Sequence, residues 1–168
     1  GGAWVDLIPA TAIVTDAPVF AVFPSVTDTR ARIRITNGSV PTIGVVKFGV
    51  AMQMERPIYG GHAPLDLSRT PVMRTNLSAT GEFLGKTRLR ATMNTSFSWN
   101  NLTADWVRAN WRAFQLAIET EPFCIAWRPA TFPAEVGYVQ ADDTPVPSNI
   151  GVRDLMAVAM NVTGFAYD

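Results

Sequence analysis

The chain has 168 residues, of which 14 are basic and 14 acidic, so its formal net charge is zero. A neutral chain has no long-range field to gather phosphates, which argues against nucleic acid as the main partner. No apolar run is long enough to cross a bilayer, so we expect no membrane insertion. Charged residues make up only 17% of the chain, and such a low charge favours self-association.

The first third of the chain alternates apolar and polar residues with the period of a β-strand. Over residues 30–36 the apolar side chains alternate with Arg30, Arg32 and Arg34. Residues 42–52 form a second candidate strand. These patterns predict a small β-unit over residues 1–55.

The middle of the chain combines a long loop with the clearest strand. Residues 57–86 are rich in Gly, Pro, Ser and Thr, and they predict a loop. Residues 88–99 alternate and predict a half-buried strand of an antiparallel sheet, with Arg88 and Arg90 facing outward. The inward side chains are expected to be Leu89, Ala91, Met93, Phe97 and Trp99.

The period then becomes helical from residue 103 to residue 120. Thr103 is a suitable N-cap, and Pro122 prevents continuation beyond the end of the helix. The apolar stripe consists of Val107, Trp111, Phe114 and Ile118. One amphipathic helix is therefore expected.

The last quarter predicts short apolar strands and a second long loop. Residues 123–127 form an apolar strand that holds Cys124, the single cysteine of the chain. That count excludes an internal disulfide or a multi-cysteine metal site, and its apolar setting predicts a buried structural thiol. Residues 129–150 contain four prolines and predict a loop. The expected fold is mainly β: an antiparallel, jelly-roll-like β-sandwich over residues 56–168 with one helix near 103–120.

The residues that carry chemistry form no recognisable motif. His62 is the only histidine, no Gly-x-Ser-x-Gly elbow accompanies it, and we expect it to be a hydrogen-bonding loop residue. The carboxylates have no calcium-loop spacing. Those that might pair across a cleft are Glu55, Asp66, Glu82, Glu135, Asp142 and Asp143. We therefore expect no enzyme activity, no catalytic residues, no cofactor and no metal.

The tryptophans raise the possibility of a sugar-stacking platform. Trp99 and Trp111 fall on the apolar faces of a strand and a helix, which favours core packing. For Trp106 and Trp127 the pattern does not distinguish core packing from sugar stacking.

Several segments together resemble a family of tailed-bacteriophage structural proteins, described as minor tail or virion proteins. The similar segments are residues 56–69, 81–86, 98–108, 122–129 and 147–156. The resemblance covers roughly residues 30 to 165 and implies a virion component.

The part before Arg56 is similar to the end of a discoidin-like (galactose-binding-like) jelly roll. The similar residues are 31–36 and 43–49. Residues 1–50 are too short to complete such a jelly roll. The resemblance therefore implies that its earlier strands come from a preceding segment or from a neighbouring subunit.

The function expected from this resemblance is that of a structural subunit at the tail tip or tail-fibre attachment of a virion. Its partners would be copies of itself and other phage tail proteins, with arginines pairing acidic residues of neighbouring subunits. The candidate interface residues are Arg30, Arg32, Arg34, Tyr59, His62, Arg88 and Arg90. Three alternatives stay open: a carbohydrate-binding module for the host surface, a capsid decoration protein and a polysaccharide-degrading enzyme.

Overall fold

The computed structural model describes residues 4–13, 18–36, 42–151 and 153–166. It divides the chain into two compact units. The first is formed by described residues of Gly1–Ala12 and Ala21–Ala51, and the second by those of Ile13–Phe20 and Met52–Asp168. None of the helices found in these ranges is long and apolar enough to cross a membrane.

The first unit corrects the prediction of strands over residues 30–36 and 42–52. None of its described residues is in a strand. Ile33 and Ile35 are 60% and 47% exposed, so the alternating apolar face is not buried. Alternation gives a strand only where a second strand supplies the hydrogen bonds of a ladder, and the described part of this unit contains none.

The second unit contains one antiparallel sheet and one helix. The strands follow the order β1-β2-β6-β4-β3, and β5 pairs with β6. Their bounds are β1 Arg69–Leu77, β2 Phe83–Thr103, β3 Phe123–Ala126, β4 Val136–Ala141, β5 Ser148–Asn149 and β6 Leu155–Phe165, with helix α1 at Ala104–Ile118. The prediction of a mainly β antiparallel fold with one helix is confirmed. The predicted sandwich is not confirmed, because a sandwich needs two sheets and the strands of the described residues all belong to a single six-stranded sheet.

The core lies between α1 and one face of the sheet, where a second sheet was expected. Three of the four residues in the predicted helical stripe are buried, and Phe114 is half-buried against the same cluster. The strands contribute Phe97, Leu102, Met160 and Val162, all of them 2% exposed or less. The helix covers the central strands together with residues 52–65, of which Leu65 is buried in the same cluster and Met52, Met54 and Ile58 pack against it.

The two predicted loops are shorter than expected because strands begin inside them. The segment 57–86 contains one turn of 3-10 helix at Leu65–Leu67, all of β1 and the start of β2. The segment 129–150 contains β4 and β5. Pro71 lies within β1, which is compatible with a strand at the edge of a sheet.

Residues 55–68 run along the same edge of β2 that β1 occupies further on. The Tyr59 backbone N–H donates to the Ser98 carbonyl at 2.8 Å, and the Ser98 hydroxyl donates to the Tyr59 carbonyl at 2.6 Å. The Thr95 hydroxyl donates to the Ala63 carbonyl at 2.8 Å. These bonds satisfy backbone groups that an open sheet edge would leave to water.

Cys124 is exposed, so the prediction of a buried thiol is wrong. It lies on β3, an edge strand, between Phe123 and Ile125, which pack against the core. Because successive side chains of a strand point to opposite faces, burial of these two neighbours turns Cys124 outward.

The start of α1 is capped from two directions. The Thr103 side chain accepts from the Trp106 backbone N–H at 3.4 Å. The Thr103 N–H and hydroxyl in turn donate to the two oxygens of Glu55, at 2.7 and 2.9 Å. Glu55 thus ties residues before the sheet to the first turn of the helix, where a negative charge also favours the helix dipole.

This cap makes the stability of the protein depend on pH. The hydrogen bond from the Thr103 N–H holds the pKa of Glu55 below its ordinary value, with help from the Thr103 hydroxyl and Arg56 and against desolvation. A carboxyl whose pKa is lower in the folded state stabilises the fold at neutral pH, and the effect is lost as the pH falls through that folded pKa. We expect Glu55→Gln to lower the melting temperature at pH 7, with the difference from wild type shrinking towards pH 3. Melting curves over this range check it, and an equal difference at both pH values would contradict it.

Gly164 lies where three strands approach closely, since it pairs with Met93 of β2 and Val139 of β4. A methyl group there would lie 2.8 Å from the Tyr138 carbonyl oxygen and 2.8 Å from a Val139 methyl. We expect Gly164→Ala to destabilise the protein by about 1–3 kcal/mol, the usual cost of overpacking. Gly61→Ala is the matched control, because an added methyl there meets nothing within 4 Å. Urea unfolding of both variants checks this, and equal midpoints would contradict it.

Candidate interaction surface

The β1–β2 hairpin extends past the rest of the sheet. Strand β6 pairs only with the part of β2 between Thr92 and Thr103, and its final residue, Phe165, pairs with Thr92. Beyond this point the described residues place no strand other than β1 beside β2. We call the projecting two-stranded ribbon, residues 72–90, the arm. Its β1 strand from Val72 to Leu77 is about 20 Å long at ~3.3 Å per residue.

Two register shifts break the alternation of the arm. Val72 pairs with Arg90 and Met73 with Arg88, so Leu89 has no opposite residue. A second shift, between Asn76 and Leu77, leaves Leu84 without an opposite residue. Such bulges bend a strand and re-aim its side chains.

The bulged leucines are both directed to solvent. Leu84 is 68% exposed and Leu89 is 62% exposed. Of the five inward positions predicted on β2, the four from Ala91 to Trp99 are confirmed as buried. The prediction for Leu89 is wrong, because Leu89 is itself the extra residue of the first bulge. Phe83 near the tip is also 63% exposed. The arm therefore presents large apolar side chains that its own chain does not cover.

The tip of the arm is held by a compact set of hydrogen bonds. The Ser78 N–H donates to the Glu82 carbonyl at 2.9 Å, and the Glu82 N–H donates to the Ser78 hydroxyl at 2.9 Å. Gly81 has a φ of 87°, a conformation that favours glycine. In the ribbon, the Asn76 amide donates to the Thr87 hydroxyl at 3.0 Å. These bonds close the turn at the tip, while the large apolar side chains of the ribbon stay exposed.

The arm is strongly basic for a neutral chain. Between residues 72 and 90 there are four basic side chains and one acidic one, Glu82. The basic residues are Arg74, Lys86, Arg88 and Arg90, all of them exposed. Exposed apolar groups between cations define a surface that fits an acidic partner with apolar patches.

The seven residues predicted as an interface are divided between the two units. Arg88 and Arg90 lie on the arm, whereas Arg30, Arg32 and Arg34 belong to the other unit. The Arg32 guanidinium lies 4.4 Å from the ring centre of Trp4, within its own unit. Sequence reasoning missed the arm's leucines for two reasons. Leu84 falls within residues 57–86, whose composition predicts a loop, and Leu89 falls on the inward face if the alternation of the strand is unbroken.

His62 packs against rings, and the predicted loop hydrogen bond is not found at its buried Nε2. Its ring lies 5.2 Å from that of Phe97 and 4.9 Å from that of Trp127. Within the described residues Nε2 has no hydrogen-bond partner, and the same is true of the buried Oε2 of Glu135.

Tyr59 is exposed, but its backbone is engaged with Ser98 as described above. Among the candidate carboxylates, Glu55 accepts hydrogen bonds from Thr103 at the start of α1. The described residues contain no group of three His, Cys, Asp or Glu side chains placed to hold a metal ion.

The tryptophans of the second unit offer little support for a sugar platform. Trp99 and Trp111 are buried as predicted, and Trp106 packs against the same core. Trp127 stacks on Phe132 with 5.4 Å between ring centroids, and the Arg128 guanidinium lies 5.0 Å from its centre. These contacts occupy the aromatic surface that a sugar would need.

Comparison with known proteins gave no match, whether to models of protein families, to curated proteins or to solved structures. The resemblance to tailed-phage tail or virion proteins, including the discoidin-like part, therefore stays a prediction. The function proposed below therefore rests on the geometry of the arm.

Proposed function

We propose that the chain is a structural subunit of a tailed-phage virion, in the tail tip or at the fibre attachment, and that it works by binding other subunits. The observation that carries this proposal is the arm. A two-stranded hairpin with a bare apolar surface is marginally stable in water, and it gains stability when a partner covers it.

Burial of the exposed apolar side chains of the arm would contribute to assembly. Full burial of a leucine or phenylalanine side chain contributes about 1.5–3 kcal/mol. Three such side chains, Phe83, Leu84 and Leu89, are more than 60% exposed along one ribbon. Their combined burial supplies several kcal/mol, and further contacts must add to it, because association itself costs about 4–15 kcal/mol.

The first unit supports the same proposal. Its described residues leave Ile33, Val45 and Phe48 at least half exposed and contain no strand ladder. A neighbouring subunit that supplied the missing strands would bury these side chains. This is one of the two completions that the discoidin-like resemblance implies, the other being a preceding segment.

Electron microscopy of intact phage particles with a gold-labelled antibody against this chain tests the proposal. Label at the distal end of the tail is the expected result. Label on the capsid would contradict the tail position and favour the alternative that the chain is a capsid decoration protein. A chain that is absent from every particle would overturn the virion role.

A further inference from the structure

Two parts of the second unit carry opposite net charge. The arm is basic as described above. Residues 119–143, by contrast, contain five acidic side chains and a single basic one, Arg128. The acidic residues are Glu119, Glu121, Glu135, Asp142 and Asp143.

The pairing of β3 with β4 collects most of these acids at one end of the hairpin. Phe123, at the start of β3, pairs with Val139 near the end of β4. Because the two strands are antiparallel, the residues just before β3 and just after β4 lie at the same end. Glu119, Asp142 and Asp143 are exposed there, and we call this region the acidic end. Leu116, three residues before Glu119 on α1 and therefore next to it on the helix surface, is 56% exposed and provides an apolar side chain beside it.

The two surfaces cannot meet within one chain. The Asp142 N–H donates to the Asn161 carbonyl of β6 at 3.0 Å, and Asn161 pairs with Ser96 of β2. The arm begins six residues away along β2, at Arg90, and runs in the direction away from Ser96. At ~3.3 Å per residue, about 20 Å of strand separates Ser96 from the nearest end of the arm.

We propose that copies of this chain associate head to tail, with the arm of one copy bound to the acidic end of the next. This inference rests on the proposed structural role and names the partner as a second copy. The cations of the arm face the carboxylates of the acidic end, and the bulged leucines cover apolar groups beside them. Complementary potentials of this kind select the partner and the register of an interface.

A head-to-tail contact has a structural consequence that a symmetric dimer lacks. Each copy keeps one unused surface, so a third copy can add to the pair. Repetition closes a ring if the rotation allows and otherwise builds a filament. Both products suit a particle in which subunits repeat around or along a tail.

A charge swap tests the inference in solution. The arm variant carries Arg74→Glu, Lys86→Glu and Arg90→Glu, and the acidic-end variant carries Glu119→Lys, Asp142→Lys and Asp143→Lys. Sedimentation velocity is recorded for the wild-type chain, for each variant and for their equimolar mixture. Arg108→Glu, a charge reversal at an exposed residue outside both surfaces, is the control.

We expect the wild type to associate and each variant alone to bind at least roughly tenfold more weakly, because attraction becomes repulsion at several pairs. The mixture should recover association to within about threefold of the wild type, since every contact in it is again between opposite charges. Association that persists in the arm variant alone would overturn the inference. A mixture that stays monomeric, or a wild type that never associates, would overturn it too.

Circular dichroism shows whether each triple variant is folded. If one is not, the single pair Lys86→Glu and Asp143→Lys repeats the same comparison at exposed positions. The particle-labelling experiment separates the two proposals. Labelled tails with a monomeric wild type would overturn only the head-to-tail contact, whereas association without any labelled particle would overturn only the virion role.

Discussion

Replacing Trp111 by alanine is expected to lower the free energy of unfolding by about 3–5 kcal/mol, the usual cost of truncating a buried aromatic side chain to alanine. Trp111 is 2% exposed at the centre of the helix face that covers the sheet. Its ring lies 5.2 Å from that of Phe114, and its indole N–H donates to the Pro145 carbonyl at 3.2 Å. The alanine variant loses this packing and leaves the carbonyl of a buried residue without its donor.

Two variants separate packing from the hydrogen bond. Trp111→Phe keeps most of the buried ring but has no donor for Pro145, so an intermediate loss is expected. Leu116→Ala lies on the same helix, where the side chain is 56% exposed, and should change stability by less than about 0.5 kcal/mol. Urea unfolding with circular dichroism measures all three. Equal midpoints for Trp111→Ala and Leu116→Ala would contradict the account of the core.

Replacing both bulged leucines by serine is expected to weaken self-association strongly while leaving the fold intact. Leu84→Ser and Leu89→Ser remove two side chains that the isolated chain exposes by 68% and 62%. If an assembled partner covers them, each contributes at least about 1 kcal/mol to binding, so the dissociation constant should rise by about thirtyfold or more. Sedimentation equilibrium of the double variant measures this change.

The matched control for the arm is Leu67→Ser. Leu67 is 76% exposed and belongs to the second unit, but it precedes the arm. It should leave the dissociation constant unchanged within about twofold, as expected of a residue outside the contact. If it weakens association as much as the double variant, the arm has no special role.

The fold of the second unit was predictable where local patterns match the final environment. Thr103 caps α1 as expected, and the alternation from Ala91 to Trp99 gives the buried face of β2. Both depend on neighbours in sequence. The helix stripe and the strand face are therefore visible before any tertiary contact is known.

The errors arise where a distant partner decides the outcome. Residues 30–36 alternate as well as β2 does, yet the structure gives them no ladder partner. Leu89 is displaced from the buried face by a register shift that depends on pairing with β1. Cys124 is exposed because its neighbours Phe123 and Ile125 turn toward the core, and distant contacts decide which face of β3 is covered.

The central claim is that the arm is an assembly surface. The most direct test is the rate of amide hydrogen exchange in the arm. Amides of residues 73–77 and 83–90 are compared in dilute, dissociated protein and in concentrated, associated protein, with α1 as the internal reference. The account predicts rapid exchange in the dilute arm, because a two-stranded ribbon opens easily, and clear protection on association. Arm amides that exchange equally fast in both samples, while the protein is shown to associate, would contradict it.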